Sequence, residues 1–288
     1  MRSGLARVAG VAAAVVLAAS VVNGEAKGKS KSYPMWDGKE PAAAYAKRAK
    51  LKPTETLDLG GGMSLEMVLV PAGTFTMGSP DSELKTEEHT GNEPLRKVTI
   101  SRPFYMSKYE ITQPQYEKVL GTNASMTKGE KLPATNMSWE EALVAAKRFG
   151  EAVKRDIRIP TDAEWEYAAR AGTQTTVYTG NDEAAVHAAG WCGGNAKGAH
   201  PIGEKPPNAF GLYDMIGNVR EWTLDIHGPA AAVDAVDPQG PTTGGDMRIS
   251  RGGAFTGKLL VCRAAIRNVE PKIKKSSIIG LRLVMDPS

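Results

Sequence analysis

The apolar positions of this chain fall into short, separated runs, of which Met67-Val68-Leu69-Val70 is the clearest. Four consecutive apolar residues followed by Pro71-Ala72-Gly73 predict a buried strand that ends at the proline. Thr74-Phe75-Thr76-Met77 then alternates polar and apolar, and predicts the hairpin partner of that strand, stopped by Gly78. Residues 97–100 and 105–110 predict two further strands. The polar, acidic stretch 79–93 before them predicts an exposed loop.

Three helix starts follow, built on one device. Thr112 stands three residues before Gln115, Ser138 before Glu141, and Thr161 before Glu164. In each pair the hydroxyl can accept the third backbone N–H while the longer side chain reaches back to the cap. Such a cap contributes about 1 kcal/mol. Pro114 falls in a first turn, where a missing N–H costs little. The second helix, from 139 to about 153, is expected to bury Leu143, Ala146 and Phe149. The third, residues 162–171, is expected to present Trp165, Ala168 and Ala169 on one side and to end at Gly172.

From 173 to 245 the periodicity is lost, and Gly, Pro, Asn and Asp dominate. A loop region of that length inside a domain points to a function or to a bound ion. Strand character returns at 248–255, 259–267 and 279–284. No fixed-period repeat is present, which argues against a solenoid. The 31 glycines and 6% aromatic content suit a loop-rich α+β domain rather than a helical bundle.

The N-terminus has a different character. Arg2 and Arg7 precede an Ala- and Val-rich run over residues 8–22, and small residues follow it. That order predicts a signal peptide over 1–26, cleaved near residues 24–26, and hence an exported protein, periplasmic or secreted. The run is short of the roughly 20 residues that span a bilayer. Residues 27–56 read as a Lys-, Ala- and Pro-rich linker with a short helix at 42–49, and 57–288 as one folded domain. The net charge of +4 is scattered, so no nucleic-acid partner is expected, and no membrane contact beyond the export signal. The two cysteines, Cys192 and Cys262, read equally as one disulfide or as two buried thiols.

The densest chemistry lies in residues 206–222, PPNAFGLYDMIGNVREW. Asn208 and Asn218 each adjoin a Pro or Gly, where the chain must turn. Asn218 and Glu221 are close enough for a carboxamide oxygen and a carboxylate to share a hard cation with nearby carbonyls. The same residues also read as a turn cap and as a partner of Arg220 or Arg251. His89, His187, His200 and His227 show no ligand spacing.

This stretch resembles the signature of the sulfatase-modifying factor family, which includes the formylglycine-generating enzymes. Six further segments follow the family order. MVLVPAGTF with MGS at 67–79 resembles its first strand pair, and YEITQPQY at 109–116 its EVTNxQY segment. NMSWEEA at 136–142 and RIPTDAEWEYAAR at 158–170 are similar to its helix-opening motifs. RGG at 251–253 and GLR at 280–282 stand for its closing elements. The resemblance implies a C-type-lectin-like α+β domain with little regular secondary structure. It implies calcium held by Asn218 and Glu221 with the carbonyls of Val219 and Arg220, and Asp214 and Asp225 as secondary ligands. Arg220 stands where the family usually has Trp.

The oxidases of the family hold copper(I) with two thiols that follow the RGG element. Here the first position is Gly257, which has no side chain, and an ungapped count puts Cys262 at the second. The string CRAAIR at 262–267 also resembles members without the copper pair, where the cysteine belongs to the core. Two functions follow. One is a non-oxidase binding or structural module for a peptide, a sulfatase or a glycan, without copper. The other is a formylglycine-generating oxidase with Cys262 as its catalytic thiolate.

Overall fold

The computed structural model describes residues 31–80, 83, 93–229, 233–241 and 243–288. The predicted signal peptide lies outside the described residues. In chain order the elements are α1 (Ala42–Ala49), β1 (Thr54–Gly60), β2 (Met63–Val70), β3 (Gly73–Met77), β4 (Arg96–Ile100), β5 (Phe104–Ser107), α2 (Gln113–Leu120), α3 (Trp139–Val153) and β6 (Ile157–Arg158). They continue with α4 (Asp162–Arg170), α5 (Glu183–Ala189), β7 (Arg220–Ile226), β8 (Ala235–Val236), β9 (Met247–Arg251), β10 (Asn268–Pro271), β11 (Ile279–Gly280) and β12 (Val284–Met285). A 3₁₀ turn covers Leu259–Val261.

The strands form three sheets, ordered β1-β2-β5-β12-β6, β10-β9-β7-β11 and β3-β4-β8. The continuous apolar run of β2 has a direct cause, because its two faces enter different cores. Met67 and Leu69 pack with Tyr116, Ala146 and Phe149 of α2 and α3. Val68 and Val70 pack with Phe75, Phe104 and the apolar side of α4. A strand buried on both faces loses the alternation of a half-exposed one. Each such side chain contributes about 1.5–3 kcal/mol when fully buried. A third, smaller cluster gathers Val177, Val186, Ile216 and the two cysteines.

All three predicted capping boxes form: Thr112, Ser138 and Thr161 each accept from the third backbone N–H and receive the reciprocal bond. α3 ends at Val153 as expected, but the end of α4 differs. α4 is closed by Ala171 in the left-handed region (φ 45°) rather than by Gly172. It is also buried nearly all round, Glu166 and Arg170 included, because ion pairs within the core satisfy its charges.

Four further expectations need correction. β3 is not the hairpin partner of β2. It pairs with β4, while β2 pairs with β1 and β5. Pro71-Ala72 carries the chain from one sheet to another, held by the Ala72 N–H donating to Tyr45 Oη. The expected linker 27–56 is only partly a linker, since the compact unit runs from Tyr33 to Ser288. Tyr45 and Ala46 of α1 are buried in the core, and Trp36 sits edge-on to Phe210. The expected strand 259–267 is a 3₁₀ turn followed by an irregular segment, and the strand forms later, at β10. The expected strand 279–284 is two short strands in different sheets, β11 beside β7 and β12 beside β5 and β6. Within the patternless 173–245 region, α5 and the well-buried β7 form.

Candidate functional site

The residues singled out at 218–221 open β7, and the backbone there is set by a tight reversal. Gly217 (φ 75°) and Asn218 (φ 54°) are both left-handed. A Cβ on Gly217 would lie 2.8 Å from the carbonyl carbon of Trp191, so no larger residue fits. Asn is among the residues that tolerate this region.

The Asn218 amide is then used on all sides. Its Oδ1 accepts the His200 N–H (2.9 Å), and its Nδ2 donates to Glu110 Oε2 (2.6 Å) and to the His200 carbonyl (3.3 Å). Glu110 Oε1 accepts the Val219 N–H at 3.1 Å. Glu221 lies three residues on, with its carboxylate inside the protein. Trp165 Nε1 donates to its Oε2 at 2.6 Å. Arg282 Nε lies 2.9 and 3.0 Å from its two oxygens, and Nη2 2.8 Å from Oε1. Arg282 also donates to the carbonyls of Ser107 and Tyr213. Asp214 (φ 56°) adds a third buried carboxylate; its Oδ2 accepts the Gly203 N–H, and its Oδ1 has no hydrogen-bond partner among the described residues.

Burial beside this guanidinium shifts the protonation of Glu110 and Asp214. Burial, reinforced by the charges of Asp214 and Glu221, raises the Glu110 carboxyl well above its usual range. Burial likewise pushes Asp214 up to about 6. Burial works against the Arg282 charge, but Glu221 outweighs it and the guanidinium stays firmly protonated.

The side chains of Asn218 and Glu221 do not fit a shared calcium shell in this arrangement. Calcium needs six to eight oxygens. Asn218 Oδ1 already accepts a backbone N–H, which leaves it one lone pair, and both Glu221 oxygens face Arg282, a cation that repels another. Among the described residues no group of three or more His, Cys, Asp or Glu is placed to hold a metal ion. Arg220, which stands in the usual Trp position, turns to Glu270 at 2.6 Å instead. Arg251, the alternative partner for Glu221, is buried against Asp162 and Glu166. Asp225, the second reserve ligand, accepts the Asp162 and Gly240 N–H groups and lies apart from Asp214 in this network.

Cys262, the candidate thiolate, is joined to Cys192 in a disulfide, with the Cα atoms 6.5 Å apart. As a thiolate it is therefore corrected: both sulfurs are buried and neither is free. The place of the first copper thiol is also occupied. A Cβ on Gly257 would lie 2.9 Å from Val261 Cγ2 and 3.0 Å from the Ala254 carbonyl. The chain holds two cysteines in all, so copper(I) has no thiolate here, and the residues present do not fit it.

Of the histidines, His89 lies outside the described residues. His200 stacks on Trp191, with ring centroids 3.7 Å apart, and Lys205 Nζ stands 4.0 Å from the same ring centre. Burial, with help from Arg267, lowers the His227 pKa. The sequence did not single out Glu110, Trp165 or Arg282 as site residues, although each lies within one of the family-like motifs.

Residues 60–287 match the model of the sulfatase-modifying factor enzyme 1-like domain. The chain belongs to this family. As a member of the sulfatase-modifying factor family it is 26% identical to the formylglycine-generating enzyme of Bos taurus, over 88% of this chain and 84% of that protein. It is also 26% identical to the inactive C-alpha-formylglycine-generating enzyme 2 of Bos taurus, over 69% of this chain and 79% of the relative. Treponema denticola variable protein 1 superposes with a TM-score of 0.75 at 24% identity, over 82% of this chain and 100% of that one, which shows the shared fold.

Proposed function

We propose that this chain is an exported, non-oxidase member of the sulfatase-modifying factor family that serves as a binding or structural module for a peptide, a sulfatase segment or a glycan. The disulfide carries this reading. Both cysteines of the sequence are consumed in one bond, and Gly257 stands where the oxidases place their first thiol. A soft copper(I) ion needs soft ligands, and this chain offers none. A relative described as inactive supports the view that the scaffold persists without the chemistry. Export is supported by the signal-peptide order of residues 1–26, and a disulfide suits the oxidising compartment that export reaches.

The test is mass spectrometry of a sulfatase peptide carrying the CxPxR motif after incubation with the protein, copper and oxygen, with and without reductant. The expected peptide is unchanged in both arms. A product that has lost sulfur and gained an aldehyde in the reduced arm, and that disappears with Cys262→Ser, would restore the oxidase reading.

A further inference from the structure

A cavity of about 220 Å³ lies between the first turn of α4, the end of β7 and the loop that carries β8. Ligands of drug size occupy pockets of about 300–1,000 Å³, so this volume admits one small unit. Asp162 and Asp225, both buried, line it together with Arg96 and Arg267, and the exposed Gln239 stands beside them.

Asp225 is the unusual member. Its Oδ1 accepts the Gly240 N–H at 2.6 Å and its Oδ2 the Asp162 N–H at 2.7 Å. It makes no ion pair among the described residues. A carboxylate has about four acceptor positions, and two of these are used. Asp162, by contrast, is saturated by Arg251 and Arg267. The cavity therefore offers acceptors at Asp225 and an amide at Gln239 that makes no hydrogen bond among the described residues.

Charge decides what such groups would hold. Two carboxylates and two guanidiniums line the cavity, so its formal charge is balanced. A cationic or anionic occupant would bring an unmatched charge into a partly enclosed site, at the desolvation cost that buried unpaired charges carry. Neutral hydroxyls avoid it, since they donate to Asp225 and exchange hydrogen bonds with Gln239. Val233, Ala235 and Pro241 supply an apolar wall for the C–H face of the same molecule.

We propose that this cavity is a subsite for one neutral monosaccharide unit, donating hydroxyls to Asp225 and bonding Gln239. This rests on the module reading above and narrows it to a glycan.

The test uses the mature chain and saturation-transfer NMR with glucose, galactose, mannose and N-acetylglucosamine, against glucosamine and glucuronate as charged counterparts. At least one neutral sugar should bind saturably, and more tightly than either charged sugar. Gln239→Ala, at an exposed position, should weaken it about fivefold, as expected for one lost hydrogen bond. Ala235→Phe should fill the cavity and abolish binding. Asp225→Asn should also abolish it, but Asp225 holds two backbone N–H groups, so circular dichroism must first show that the variant folds. The subsite is overturned if no neutral sugar saturates, if a charged sugar binds better, or if binding survives Ala235→Phe. Failure here leaves the non-oxidase reading standing, whereas formylglycine formation overturns that reading whatever the sugars do.

Discussion

Arg282 closes on the carboxylate of Glu221 with both side chains fully inside the protein, Nη2 2.8 Å from Oε1 and Nε 2.9 Å from the same oxygen. The pair joins the GLR element to the GNVREW element across 61 residues of sequence. Through the Ser107 and Tyr213 carbonyls, one guanidinium also fixes the end of β5 and the turn before β7.

Removing one partner should therefore destabilise strongly. Arg282→Met leaves Glu221 charged, buried and uncompensated, a change that typically costs about 3–5 kcal/mol. Glu221→Gln should cost a similar amount, and the double variant less than the sum of the two. Urea denaturation of the four proteins measures this. Additive losses would show that the two side chains do not act as a pair.

Calcium should leave the melting temperature unchanged. A cation that bound only the folded state at one hundred times its dissociation constant would add about 2.7 kcal/mol. The Glu221 oxygens would first have to leave Arg282 and Trp165. Differential scanning calorimetry with calcium and with chelator should superimpose. A rise with calcium that Glu221→Gln abolishes would show that the carboxylate changes partners.

The disulfide should be a major stabiliser. It closes a separation of 70 residues, for which the chain-entropy model gives about 4 kcal/mol. Guanidinium denaturation of Cys192→Ser and Cys262→Ser, each beside the oxidised parent, should show losses of about that size. Reductant should lower the parent alone. Equal stability with and without reductant would mean that the bond does not form.

The acid limb of stability should carry the mark of Asp225. Burial, with the Asp162 charge adding to it, pushes its carboxyl from 3.8 to about 6. The folded state thus holds this proton more tightly than the unfolded chain. Its contribution is complete below about pH 4 and is lost as the pH rises to about 6. Relative to Asp225→Asn, which does not titrate, the parent should lose up to about 3 kcal/mol across that interval. Asp162 acts in the opposite sense. Burial alone would raise it, but Arg251 and Arg267 outweigh burial and hold it below its usual range. Its contribution is present above about pH 4 and disappears in stronger acid. Equilibrium unfolding of parent and variant at pH 4, 5 and 6 checks the slope, and a constant difference would reject it.

What the sequence determined by itself was local. The three capping boxes formed as their spacing required, because a hydroxyl and a carboxylate or carboxamide three residues apart need only one helical turn to meet. The position of α1 and the apolar run of β2 were also legible, as was family membership from six short motifs. The partners of those motifs were not. Nothing local assigns Glu221 to Arg282 rather than to Arg220 or Arg251, or sends β3 to β4 rather than back along β2. The choice between a disulfide and two thiols depended on the 6.5 Å approach of Cα atoms 70 residues apart. Long-range pairings of this kind are set by which surfaces meet when the sheets and helices pack. A spacing rule reaches one turn or one hairpin, and the tertiary structure decided the rest.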